Sequence, residues 1–244
     1  MGRHDVAYFR CDCCGLLFTE EPFWWEETFP PDLLGRDTQV FERNILYSYH
    51  VNKILSQSFK KGTDSNFLDY GGGLGIFVRL MRDLGWNFLW HDKYSRNLFA
   101  GGFEHREQLL TAVTCFEVLE HLHNPMEIIE ALAQKADCLI FSTELYSDGF
   151  EVRPFESWRY YIPESGQHIT FFSKKTFEWL AKKLNRIYYS LPDNIHVLIS
   201  EASPIKIKKS SKLMESLKRI WYQRKNQRRS LAMSDAAAQY EKRD

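Results

Sequence analysis

Three glycines at alternate positions in Phe67-Leu68-Asp69-Tyr70-Gly71-Gly72-Gly73-Leu74-Gly75 constrain this chain more than any other segment. The stretch reads as a short buried strand ending in an acid, then a turn through Gly71, Gly73 and Gly75. Lacking Cβ atoms, such a turn reaches conformations closed to other residues and passes very close to a ligand. Its register argues against two other fingerprints. G-x-G-x-x-G would need a small residue at Ile76, and no Gly-Lys-Ser/Thr follows, so neither the dinucleotide nor the P-loop pattern fits well. An ordinary glycine-rich strand-to-helix turn is the bland alternative. Asp69, two residues before the first glycine, suits a cationic amino group better than a pyrophosphate, and that points to S-adenosylmethionine.

The 244 residues are enough for one α/β domain with appendages and a substantial core. A formal net charge of zero hides an asymmetry. Between Pro204 and Ser230 stand ten Lys/Arg and one acid, Glu215, so the rest of the chain, with 22 basic and 31 acidic residues, carries −9. No apolar run has the length of a membrane span and the N-terminus has no signal-peptide pattern, so a cytoplasmic location is expected. Five cysteines, an odd number with three at Cys11, Cys13 and Cys14, make no disulfide framework. Cys11-x-x-Cys14 has the spacing of half a zinc ribbon, without a second C-x-x-C to complete it.

The chain divides into an N-terminal cysteine-containing segment (1–35), an α/β domain (36–203) and a basic tail (204–244). Strand patterns at 67–70, 87–90, 111–116 and 138–142 alternate with helical patterns at 76–84, 126–136 and 176–184. Closing strands follow at 186–190 and 196–200. This alternation predicts a mainly parallel sheet with helices on both faces, binding ligands at the carboxyl ends of its strands. The long connection over 145–168 is rich in aromatics and reads as a lid or binding loop. In the tail, Leu213, Leu217, Ile220 and Trp221 have helical spacing among basic residues. Such a helix suits an anionic membrane surface, a partner, nucleic acid phosphates, or its own domain.

Asp92 ends the second strand, where an acid can accept both hydroxyls of a ribose; a solvated loop acid is the alternative. In Phe116-Glu117-Val118-Leu119-Glu120-His121, a helix starting at Glu117 would put Glu117, Glu120 and His121 on one face. His168 in Gly166-Gln167-His168-Ile169-Thr170 is a candidate fourth member. These residues could hold a divalent ion (Mg or Zn), supply a general base at His121 or His168, or only shape the pocket.

Together these motifs resemble the class I S-adenosylmethionine-dependent methyltransferases over roughly residues 40–200. Gly166–Ser173 and Tyr8–Thr19 resemble the subgroup associated with bacterial surface-polysaccharide biosynthesis, though the first half of its cysteine ribbon is missing. The E-x-x-E-H pattern is similar to that of ubiquinone-pathway O-methyltransferases and small-RNA 3′-end methyltransferases, in which matching residues hold a divalent metal. The resemblance implies a Rossmann-like seven-stranded sheet of order 3-2-1-4-5-7-6 with strand 7 antiparallel. It implies Asp69, Gly71, Gly73, Gly75, Asp92, Phe116 and Glu117 around the cofactor. The acceptor it implies is a hydroxyl of a small molecule or sugar, in a nucleotide-sugar or at a glycan end. The basic tail would then keep the enzyme at a membrane periphery or against a partner. Metal-dependent RNA 2′-O-methylation and a non-catalytic cofactor-binding module are the rivals.

Overall fold

A computed structural model describes residues 4–28, 37–59, 64–147, 158–163 and 165–207. Most of the basic tail, from residue 208 on, and the middle of the long connection lie outside the described residues.

Five short apolar runs build the main sheet with one hairpin strand: β3 (Asn66–Tyr70), β4 (Asn87–His91), β5 (Ala112–Phe116), β6 (Cys138–Ser142), β9 (Ile187–Leu191) and β10 (Ile195–Ile199). Their order is β4-β3-β5-β6-β10-β9. The first four are mutually parallel, and β10 runs antiparallel to both β6 and β9. Asp193 and Asn194 turn the β9–β10 hairpin at φ +58° and +57°, a conformation that Asp and Asn tolerate better than most residues. The Asn194 carbonyl accepts from Thr143 N, fastening the hairpin tip beside the end of β6.

Successive residues of a strand face opposite sides, and both sides are covered. Phe67, Phe88, Ile140 and Val197 pack under α1 (Val40–Ser58) and α2 (Ile76–Asp83) with Val51, Leu55, Phe77 and Met81. Leu68, Leu89, Leu139 and Leu198 face the other way, onto α3 (Pro125–Lys135) and α4 (Lys174–Lys183) through Ile129, Leu132, Phe177 and Leu180. Pro125 starts α3 where its missing N–H is harmless, and a reciprocal Ser173–Thr176 box caps α4.

Strand 7 of the expected order is present as the antiparallel β10, whereas strand 3, expected beyond β4, does not form among the described residues. Among the described residues the main sheet has six strands, and beyond β4 a single parallel bridge joins Trp90 and Glu104. The segment there opens with Gly101-Gly102 and offers little apolar surface: Phe103 lies under Arg82 and Leu109 is 91% exposed.

A second sheet, β1 (Tyr8–Arg10), β2 (Leu17–Thr19), β8 (Thr170–Ser173) and β7 (Leu145–Tyr146), has the order β1-β2-β8-β7. The N-terminal hairpin thereby joins the strand that follows His168. Trp24 Nε1 donates to Gly166 O at 2.9 Å and Gln167 Nε2 to Thr28 O at 2.6 Å. A small aromatic core of Leu17, Tyr146, Tyr161 and Phe171 lies inside this sheet.

Candidate active site

The glycine turn leaves β3 at its carboxyl end, and each glycine answers a different demand. Gly71 has φ +75°, and a Cβ there would overlap the Val118 Cγ2 methyl. Gly75 starts α2 at φ +83°, and a Cβ would lie 2.6 Å from Asn97 Oδ1. At Gly73, φ +51°, a Cβ would meet nothing within 4 Å. Protein packing therefore accounts for Gly71 and Gly75, whereas Gly73 faces open space, as a ligand cradle requires. Gly71→Ala is expected to lower stability by about 3 kcal/mol, from left-handed strain of ~1–2 plus overpacking against a stiff β-branched neighbour; urea denaturation measures it.

Asp69 lies below the turn, 3% exposed, and accepts from Thr114 Oγ1 at 2.7 Å. Burial pushes its carboxyl up to about 7, against the pull of the Thr114 hydroxyl and with a small push from Asp92. A buried acid with one neutral donor is a group awaiting a cation.

Asp92 acts as a clamp. Its Oδ2 accepts from Gly73 N at 2.9 Å, and its Oδ1 from Tyr94 N and Ser95 N, both at 2.7 Å. Trp90 Nε1 donates to Gly73 O at 2.9 Å, so both polar groups of Gly73 are tied to the end of β4. A carboxylate has about four acceptor positions, and three of these are engaged by backbone. Phe116, at the end of β5, is partly buried between Tyr47 and Phe77, with ring centroids at 4.5 and 5.1 Å.

After β5 the chain does not turn helical at Glu117. That residue has φ +53°, and a single 3-10 turn begins only at Leu119–His121. Glu117 is thereby swung off the face shared by its neighbours. Its Oε1 accepts from Tyr47 Oη at 2.9 Å and Ser142 Oγ at 2.7 Å.

Glu120, His121 and His168 do come together, with one donor atom from each mutually within 4.8 Å. Two hydrogen bonds join the segments: Ile169 N donates to Glu120 O at 2.8 Å, and the Thr170 hydroxyl Oγ1 donates to Leu122 O at 2.6 Å. Both imidazoles have a fixed tautomer. His121 Nδ1 contacts Gln167 O at 3.0 Å and His168 Nδ1 contacts Tyr160 O at 2.6 Å. A carbonyl can only accept, so each Nδ1 carries the proton and each Nε2 presents a bare lone pair. Burial lowers the pKa of both rings, that of His168 to about 3 with His121 adding to the fall. They are neutral imidazoles, the form that ligates metals, and the lowered pKa makes each a weaker base.

Glu120 is fully buried and its carboxyl is pushed up to about 8, first by burial and then by Glu117. Oε1 accepts from Tyr160 Oη at 2.7 Å, while Oε2 is buried with no hydrogen-bond partner. An orphan carboxylate oxygen on a residue clustered with two neutral imidazoles fits a divalent cation. Two nitrogens and one oxygen suit Zn or Mn better than Mg. Among the described residues this is the one three-ligand group, and Cys11, Cys13 and Cys14 take no part in it.

Sequence reasoning gives no site role to Tyr47 and Ser142, which hold Glu117, to Tyr160, which holds Glu120, or to Thr143, which backs Tyr160. Ser142 and Thr143 carried a faint signal as polar residues ending a core strand; Tyr47 and Tyr160 carried none beyond their aromatic character.

A family model described as "Methyltransferase domain" matches residues 42–186. A search of curated proteins gives no match. Among solved structures, an O-methyltransferase family 2 protein from Planctomyces limnophilus in complex with apigenin is 14% identical with a TM-score of 0.51, over 72% of this chain and 63% of that one. An O-methyltransferase family protein from Burkholderia thailandensis is 15% identical with a TM-score of 0.49, over 73% and 63%. Magnesium protoporphyrin IX methyltransferase from Synechocystis, with bound S-adenosylmethionine, is 12% identical with a TM-score of 0.44, over 75% and 86%. The chain spans less than two thirds of the length of the first two. The Planctomyces likeness shows a shared α/β fold.

Proposed function

Because the chain belongs to the methyltransferase-domain family, we propose that it transfers a methyl group from S-adenosylmethionine to a hydroxyl of a small molecule or sugar. Glu120, His121 and His168 would hold a divalent metal at the reacting end. The observation that carries this reading is the pairing of two tautomer-locked imidazoles with the orphan Oε2 of Glu120.

In this reading Asp69 binds the cofactor's amino group, the open edge of Gly73 lies along its methionine part, and the remaining acceptor position of Asp92 takes one ribose hydroxyl. Phe116 supports the floor from β5. The acceptor oxygen attacks the methyl carbon in line, the C–S bond breaks, and S-adenosylhomocysteine leaves. Catalysis of such a displacement is mostly positioning plus removal of the hydroxyl proton. A bound metal would polarise the acceptor hydroxyl and lower its pKa. Glu120 Oε2 is sealed from solvent, so a substrate hydroxyl cannot reach it directly, whereas an ion small enough to sit among the three side chains can. This favours metal-ligand roles over a direct carboxylate base.

The sugar hydroxyl, in a nucleotide-sugar or at a glycan end, is the acceptor we favour, supported by the Gly166–Ser173 segment that delivers His168. Labelled S-adenosylmethionine, offered with panels of sugar-nucleotides, phenols and short RNAs, tests the assignment. Transfer to oxygen is expected, abolished by chelator and restored by Mn or Zn. Transfer indifferent to chelation would move the role to His121 as a base, and labelling of RNA alone would favour the 2′-O-methylation rival.

A further inference from the structure

We infer that Tyr160 is the positioning residue of this site: its hydroxyl selects which oxygen of Glu120 faces the cluster, and its carbonyl fixes the orientation of His168. The inference rests on the metal-binding reading of Glu120, His121 and His168.

Tyr160 lies in a 3-10 turn, Arg159–Tyr161, at the described end of the long connection. Its hydroxyl donates to Glu120 Oε1 at 2.7 Å and lies 3.0 Å from Thr143 Oγ1. With the tyrosine proton directed at Glu120 Oε1, the Thr143 hydroxyl donates to the tyrosine oxygen. With Oε1 occupied, Oε2 is the atom left for a ligand, and the carboxylate plane can no longer rotate freely. The same residue's carbonyl takes the Nδ1 proton of His168 at 2.6 Å, and its ring lies 4.5 Å from the imidazole. Two of the three candidate ligands are thus aimed by one side chain and its own backbone.

The aim is anchored from behind. The Thr143 carbonyl accepts from His196 Nε2 at 3.1 Å, and His196 Nδ1 accepts from Tyr188 Oη at 2.9 Å. Phe177 stacks on the His196 ring at 4.5 Å. Thr143, His196 and the tip of the β9–β10 hairpin therefore form a rigid backing for Tyr160. Outer partners of this kind typically change metal affinity by ~10–100-fold when removed.

The test is titration of metal-stripped full-length protein with Co(II), read by visible absorption, alongside calorimetric binding of S-adenosylmethionine. The wild type is expected to bind one Co(II). Tyr160→Phe, which removes only the hydroxyl, is expected to bind it ~10–100-fold more weakly with cofactor affinity unchanged. Thr143→Val is expected to show a smaller loss in the same direction, and carries the test if Tyr160→Phe does not fold. Co(II) affinity within twofold of wild type in whichever variant folds overturns the positioning role. A wild type that binds no Co(II) while still binding S-adenosylmethionine overturns the metal reading itself, and the inference with it.

Discussion

Asp69→Asn is expected to lose S-adenosylmethionine binding by about 100-fold while making the ligand-free protein more stable above pH 7. The first half follows from removing a charge-assisted contact, worth ~1.5–3 kcal/mol. The second follows from linkage. The folded carboxyl titrates at about 7, against an ordinary value of 3.8. Between those values the folded state holds a proton that the unfolded chain has released, so stability falls as pH rises through the window. Above pH 7 the full burden is present, about 4 kcal/mol at 1.36 kcal/mol per pH unit. Asparagine carries none of it. Thermal melts should therefore favour the variant by roughly 8–16 °C at pH 8 and converge toward pH 4. Equal cofactor affinity would remove Asp69 from the binding site, and equal melting at pH 8 would mean that its burial is relieved in some other way.

Glu120→Gln should lower the rate of methyl transfer by roughly 10³-fold while leaving S-adenosylmethionine affinity within about twofold, because the residue meets the acceptor's end of the site and not the cofactor's. The amide keeps the volume and the Tyr160 contact but is a poor ligand, so the variant should also lose its metal. Single-turnover kinetics with saturating cofactor and metal analysis of the purified variant check both halves. A normal rate in metal-free variant protein would assign Glu120 to structure alone.

The fold was legible where period and punctuation agree. Phe67/Leu68, Phe88/Leu89 and Val197/Leu198 mark strands buried on both faces, and Gly71, Gly73 and Gly75 mark the turn that follows the first of them. Strands that end in a few buried polar residues were harder. β8 is only Thr170–Ser173, and β2 only Leu17–Thr19; neither has enough residues to show a period, and each exists because the other pairs with it. The strand expected beyond β4 does not form: of the large apolar side chains over 101–109, Phe103 lies under Arg82 and Leu109 is exposed.

The site was legible as a set of residues and not as an arrangement. His168 and Glu120 stand 48 positions apart, and their meeting depends on bonds from the Ile169 amide and the Thr170 hydroxyl that have no sequence signature. Glu117, given equal rank with Glu120 on helical spacing, departs because its φ of +53° breaks the helix the spacing assumed. Tyr160 is one of several aromatics in its segment, and nothing local marks it as the one whose hydroxyl turns inward.

The pairing of the N-terminal hairpin with β8 also imposes an order of assembly. Leu17 lies opposite Phe171, so β2 cannot find this partner until the chain through Phe171 has been made. Contacts of such separation form late, because a long loop must close before they return any energy. The glycine turn, Asp69 and Asp92 depend on neighbours between residues 66 and 118 and are complete without that closure. The loop bearing His168, held by Trp24 and Thr28, is not. A growing chain thus completes its glycine turn before the loop that carries His168.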